Sequence, residues 1–218
     1  MLSKTIALSL TALVTTAVST CIAQIPKAQA LTLNPGGTVS LSGTTFADRP
    51  ELGGTVLRDT LRSIGQLVVQ DRVVQENRSG TLDFYYTIRN LNSTGSAISL
   101  GQFVAHSSFA NFLTDVDFRT DGLGNTAPLR ASRSSDGSLV TFDFGDLSLL
   151  PDSQTNFFFI KTNATDFNEL GQGTLNGTSF LTYQPATAVP TPALLPGLVG
   201  LGLAALRKRK SDQTEAEV

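Results

Sequence analysis

Residues 82 to 89 read Leu-Asp-Phe-Tyr-Tyr-Thr-Ile-Arg, with apolar Leu82, Phe84, Tyr86 and Ile88 on every second position. Successive side chains of an extended chain point to opposite faces, so this period of two predicts a half-buried strand and excludes an amphipathic helix. Val140, Phe142 and Phe144 alternate with Thr141 and Asp143 in the same way. Val116 and Phe118 alternate with Asp115, Asp117 and Arg119, which places the two aspartates on a solvent face. The unbroken run Phe157-Phe158-Phe159-Ile160 predicts a strand buried on both sides.

Turn-forming clusters separate these runs: Asn77 to Gly80, Asn92 to Gly95, Asp121-Gly122, Asp136-Gly137 and Asn176-Gly177. Short strands at such spacing predict an all-β fold, an antiparallel β-sandwich of Ig-like or jelly-roll-like type, over residues 31–184. Strands are expected near 38–42, 53–58, 66–75, 81–91, 97–105, 113–119, 138–145, 155–162 and 178–184, with Arg58 to Arg62 open to a short helical turn instead. A body of this length buries a single core without a covalent staple. Residues 185–192, Pro-Ala-Thr-Ala-Val-Pro-Thr-Pro, read as an extended Pro-rich linker.

The two ends have a different character. Residues 1–30 fit a secretory signal peptide: Lys4 gives the positive start, an uncharged apolar stretch follows, and Ala28-Gln29-Ala30 is the small-x-small cleavage site. Cleavage there starts the mature chain at Leu31. A lipoprotein signal on Cys21 is disfavoured by Thr20, where a small residue is needed.

At the other end the uncharged run from Ala188 to Leu206 has 19 residues. As a helix it spans about 28 Å, close to a bilayer core. Its apolar centre, 194–206, is expected to form a transmembrane helix, and Arg207, Lys208, Arg209 and Lys210 follow as a stop-transfer cluster on the cytoplasmic side. Residues 211–218 form a cytoplasmic tail.

The order Pro-rich motif, apolar run, basic cluster resembles the PEP-CTERM sorting signals of Gram-negative bacteria, most closely the PTPA-CTERM variant of cyanobacteria. The resemblance rests on Val189, Pro190, Thr191, Pro192 and Ala193 as the sorting and processing motif, within a sorting signal spanning 189–210. It implies an exosortase substrate. The partner would be an exosortase-like membrane protease-transpeptidase that cuts near the motif. The chain would pass through the inner membrane, be anchored there transiently, and then reach the outer cell surface or extracellular matrix, often alongside exopolysaccharide. Thr191 stands where the commoner motif has Glu, and the tail after Lys210 is longer than such signals usually carry.

Between residues 31 and 192 the chain carries ten Arg or Lys against fifteen Asp or Glu, so it offers no basic footprint for nucleic acid. Cys21 is the only cysteine and lies in the signal segment, which excludes disulfides, thiolate metal sites and a cysteine nucleophile from the mature domain. The one histidine, His106, has no Gly-x-Ser-x-Gly elbow to serve. The oxygen-rich stretch from Asp115 to Asn125 fails the EF-hand spacing, with Arg119 in a ligand position and Pro128 where Glu is required. No catalytic residue, metal or cofactor is assigned. The domain is expected to be non-enzymatic, with a structural or adhesive role. The alternatives are an extracellular polysaccharide hydrolase, which predicts a cleft with two carboxylates, and a carbohydrate-binding module, which predicts Tyr85 exposed on a concave sheet.

Overall fold

The computed structural model describes residues 30–45, 53–106 and 109–188. In chain order its strands are β1 (Leu31–Thr32), β2 (Thr38–Ser40), β3 (Gly54–Ile64), β4 (Leu67–Glu76), β5 (Leu82–Asn90), β6 (Ile98–Ser99) and β7 (Gln102–His106). They continue as β8 (Thr114–Phe118), β9 (Arg130–Arg133), β10 (Val140–Asp143), β11 (Ser148–Leu149), β12 (Phe158–Thr162), β13 (Ala164–Leu175) and β14 (Thr178–Ala188). One six-stranded sheet has the order β1-β8-β12-β5-β4-β3 and a second the order β14-β13-β7-β10-β9-β2, while β11 and β6 form a separate pair. Every strand pair is antiparallel. The all-β expectation holds, and the arrangement is consistent with a β-sandwich.

The core lies where the inward faces of the two sheets meet. Leu82, Phe84, Tyr86 and Ile88 of β5 all enter it, as the period of two requires. So do Val116 of β8 and Val140 and Phe142 of β10. Phe158 is the pivot, with its ring centroid 4.8 Å from Phe142, 5.1 Å from Phe103 and 5.7 Å from Tyr86. Phe142 and Phe103 come from the second sheet, so one side chain ties the sheets by edge and tilted aromatic contacts. Phe159, next in sequence, packs on the opposite face with Val74 and Tyr85. The Phe157–Ile160 run is therefore buried on both sides, as read.

Each predicted turn falls between strands. Asn176 and Gly177 join β13 to β14 with φ of 50° and 79°, two left-handed positions in succession, as tight hairpins require.

Several elements differ from the sequence reading, and the short strands β1, β9 and β11 have no counterpart in it. Arg58 to Arg62 is strand: β3 runs on to Ile64 after an irregularity between Val56 and Arg58, because pairing with β4 overrides local preference. The stretch 97–105 is two strands, broken at Gly101, whose φ is 52°. The 12-residue β13 has no counterpart in the reading. Its Asp, Asn, Glu and Gly residues hide it, and three register shifts against β14 break its alternation. Finally, β14 extends to Ala188 and so takes in the first residues of the segment read as linker. Pro185 is tolerated there because β14 is an edge strand.

The signal peptide except Ala30, and everything from Val189 onward, lie outside the described residues, and with them the expected transmembrane helix at 194–206. Among the described residues no helix is long and apolar enough to cross a membrane.

Candidate functional site

The outward face of the first sheet was expected to be solvated, and here the structure corrects the reading. Asp83, Thr87 and Asp117 are fully buried and Tyr85 is only 4% exposed. Chain segments near Arg119 and Thr155 fold against this face. Thr87 donates its hydroxyl to the Thr155 carbonyl (2.8 Å), and the Thr155 hydroxyl accepts from the Ile88 N–H (2.9 Å). The Asn156 amide donates to the Arg119 carbonyl (2.9 Å). Asp117 accepts from the Gly43 and Phe118 N–H groups, each at 2.9 Å, so it fixes backbone instead of facing water.

Strand register sets the layout. Asp59, Arg72, Tyr85, Phe159 and Asp117 stand opposite one another in a row across β3, β4, β5, β12 and β8. A pocket of about 500 Å³ opens beside this row, walled by Arg72, Val74, Asn77, Tyr85, Arg119 and Phe157. Its size suits a small ligand.

The Arg72 guanidinium lies 4.8 Å from the centre of the Phe157 ring and donates to Asp59 at 2.8 Å. Arg119 grips Asp121 through Nε (2.9 Å) and an Nη (3.0 Å), a bond that raises its pKa above the ordinary arginine value. Gly54 also lines the pocket, and a Cβ there would meet the Gln75 carbonyl oxygen at 2.2 Å. The described lining offers aromatic surface and guanidinium donors and has no carboxylate, thiol or imidazole.

The sequence candidates fall as follows. Val189, Pro190, Thr191, Pro192, Ala193, Arg207, Lys208, Arg209, Lys210 and Ala28 lie outside the described residues. Ala30, the last residue of the expected signal peptide, packs against the cluster of Val74, Tyr85 and Phe159. Tyr85 is not the exposed platform that a carbohydrate-binding module predicts, because Phe159 and Phe157 pack around it. His106 Nε2 is 2.8 Å from the Thr174 hydroxyl on the neighbouring strand. The Asp115–Asn125 stretch is dispersed: Asp117 holds backbone and Asp121 holds Arg119. Among the described residues no group of three or more metal-ligating side chains forms.

Sequence reasoning missed the buried charges. Asp71 faces inward from β4, between Val69 and Val73 of the core, and accepts from the Thr182 hydroxyl (2.7 Å) and the Tyr183 N–H (2.9 Å) of β14. Arg62 Nε lies 3.5 Å from the same carboxylate and its Nη donates to Glu169 at 2.8 Å. Burial, opposed by those hydrogen bonds and by Arg62, pushes Asp71 up to about 6. Arg133 is buried too, and donates to the carbonyls of Leu33, Phe109, Phe112 and Gly137. Alternation was the available signal for Asp71, since it occupies an apolar-phase position of β4.

No family model, no curated protein and no solved structure matches this chain.

Proposed function

We propose that this chain is an exported structural or adhesive protein without enzymatic activity, built on an Ig-like or jelly-roll-like β-sandwich. The signal peptide takes it through the inner membrane. Its C-terminal helix holds it there transiently, and an exosortase-like protease-transpeptidase then cuts it for the outer surface or extracellular matrix, beside exopolysaccharide. The supporting observation is where the first strand begins. β1 opens at Leu31, the expected first mature residue, and β14 runs to Ala188, the last described residue. The described strands lie between the two expected cuts, and the first cut removes only Ala30 from the residues packed beside Val74, Tyr85 and Phe159.

The test is the intact mass of the protein recovered from producing cells and from their medium. The expected species starts at Leu31 and ends between Pro190 and Ala193. Recovery of a chain that still ends at Val218 as the only form would replace sorting with a permanent anchor.

A second reading, carbohydrate binding by the same domain, is favoured by the pocket that Arg72, Asn77 and Arg119 line beside half-buried Phe157. Guanidinium and amide groups donate to sugar oxygens, with Tyr85 in the wall and not a stacking platform. Titration with a panel of oligosaccharides should show saturable binding that Arg72→Ala weakens at least tenfold. Binding that is indifferent to that substitution would remove the reading.

A further inference from the structure

Nine of the ten cations between residues 31 and 192 are arginine, and Lys161 is the one lysine. It is also half-buried. It projects from β12 on the outward face of the first sheet, opposite Asp83 of β5 on one side and Asp115 of β8 on the other. Its ammonium meets Glu76 Oε1 at the end of β4, with the two side chains 18% and 6% exposed, and Asp83 is fully buried.

Guanidinium is the better partner for a buried carboxylate, being more weakly hydrated and able to bind it with two parallel bonds. What only an amine can do is become an acylated nucleophile. Removal from water favours the neutral amine and the neutral acid over the ion pair, which is the condition for that chemistry.

The surroundings of Glu76 are asymmetric in the way such a reaction needs. Oε2 accepts hydroxyl bonds from Ser79 (2.5 Å) and Thr81 (3.3 Å), both in the β4–β5 connection. Oε1 faces the amine. Two donors on one oxygen stabilise negative charge developing there, and the other oxygen is left to depart.

We propose that Lys161 and Glu76 condense to an intramolecular amide, a covalent cross-link between β12 and β4. The Nζ–Cδ bond forms and the Cδ–Oε1 bond breaks. Of the three ammonium protons one stays on the amide nitrogen and two leave on Oε1 as water, with Asp83 receiving and passing them. Oε2 becomes the amide oxygen, held by Ser79 and Thr81. No oxidant, metal or second substrate is consumed. The link would give a domain without cysteine a covalent tie between segments far apart in sequence.

The experiment is mass spectrometry of the full chain after expression and purification, at the intact and peptide levels. The expected result is a chain lighter by one water, about 18 Da, than the sequence of whichever processed form is recovered. Digestion should give a branched peptide joining the segments around Glu76 and Lys161, with no tryptic cleavage after Lys161. Lys161→Arg, which keeps the cation, should restore the full mass. Asp83→Asn should leave a mixture that converts slowly. Wild-type protein at full mass, cleaved by trypsin after Lys161, overturns the proposal and leaves an ordinary ion pair. Because the readout is made on the wild-type chain and does not depend on the terminal cuts, it is independent of the sorting reading.

Discussion

The buried carboxylate of Asp71 makes stability depend on pH in a calculable way. Its pKa rises from 3.8 to about 6 in the folded protein, chiefly by desolvation, while the unfolded chain keeps the ordinary value. Between those two values the folded state binds a proton that the unfolded state does not. Its contribution to stability is therefore complete below about pH 4 and is lost as pH rises through 6. A rise from 3.8 to about 6 corresponds to roughly 3 kcal/mol, the amount the wild type should lose between pH 4 and pH 8 on this account.

Asp71→Asn removes the titration but keeps an oxygen that can accept from the Thr182 hydroxyl and the Tyr183 N–H. Arg62 retains Glu169 as a partner. Urea unfolding of both proteins at pH 4.5, 6 and 8 is the assay. The two should be similar at the lowest pH and separate as pH rises, with the variant the more stable at pH 8 by a few kcal/mol. The window is clean with respect to the carboxylates that hydrogen bonds hold low. Asp136 sits at about 2, held by Ser134 and Ser138, and Asp143 is lowered by the Gly145 N–H and Arg130, so both act below pH 4. Parallel curves across pH 4.5–8, or a variant less stable at pH 8 than at pH 4.5, would refute the reasoning.

Phe158→Ala deletes a fully buried ring that touches aromatic residues of both sheets, and should cost about 3–5 kcal/mol in the same assay. A loss under 1 kcal/mol would mean the sheets are not joined through it. Gly54→Ala places a Cβ against the Gln75 carbonyl, where only backbone movement can relieve the contact, and should cost about 1–3 kcal/mol. Faster amide exchange at Gln75 and Glu76 would locate the damage to the β3–β4 pairing.

The parts of this fold that sequence shows plainly are those where one face is apolar and the other polar. β5 and β10 are legible because Leu82, Phe84, Tyr86, Ile88, Val140 and Phe142 alternate without interruption. β13 is not, because glycine and polar residues carry it and its partner β14 accommodates three register shifts. The outward face of the first sheet is the instructive case. Its polarity reads as exposure, yet the residues around Thr155 and Arg119 cover it, burying Asp83, Thr87 and Asp117, and Thr87 and Asp117 bond to backbone there. Polarity fixes which face a residue takes; it does not say whether a loop returns to cover that face. The pocket at Tyr85 is illegible for the same reason, since Arg119 and Phe157 join Arg72 only through that cover.

The buried charges then have a common logic. Asp71 joins β4 to β14, Arg133 joins carbonyls of Leu33, Phe109, Phe112 and Gly137, and Lys161 joins β12 to the end of β4. Each connects segments that are distant in sequence, in a domain whose only cysteine, Cys21, lies in the expected signal peptide. Apolar packing alone tolerates sliding between strands of similar pattern, whereas a desolvated charge tolerates only the geometry that satisfies it. Asp71 illustrates the cost, since at neutral pH its ionisation works against the fold. A tie that reduces stability at pH 8 is accounted for if it sets register between the sheets. On that view Asp71→Asn should gain stability at pH 8 while keeping both hydrogen bonds to β14, and Asp71→Leu should lose the alignment of β14 against β4 even where it folds.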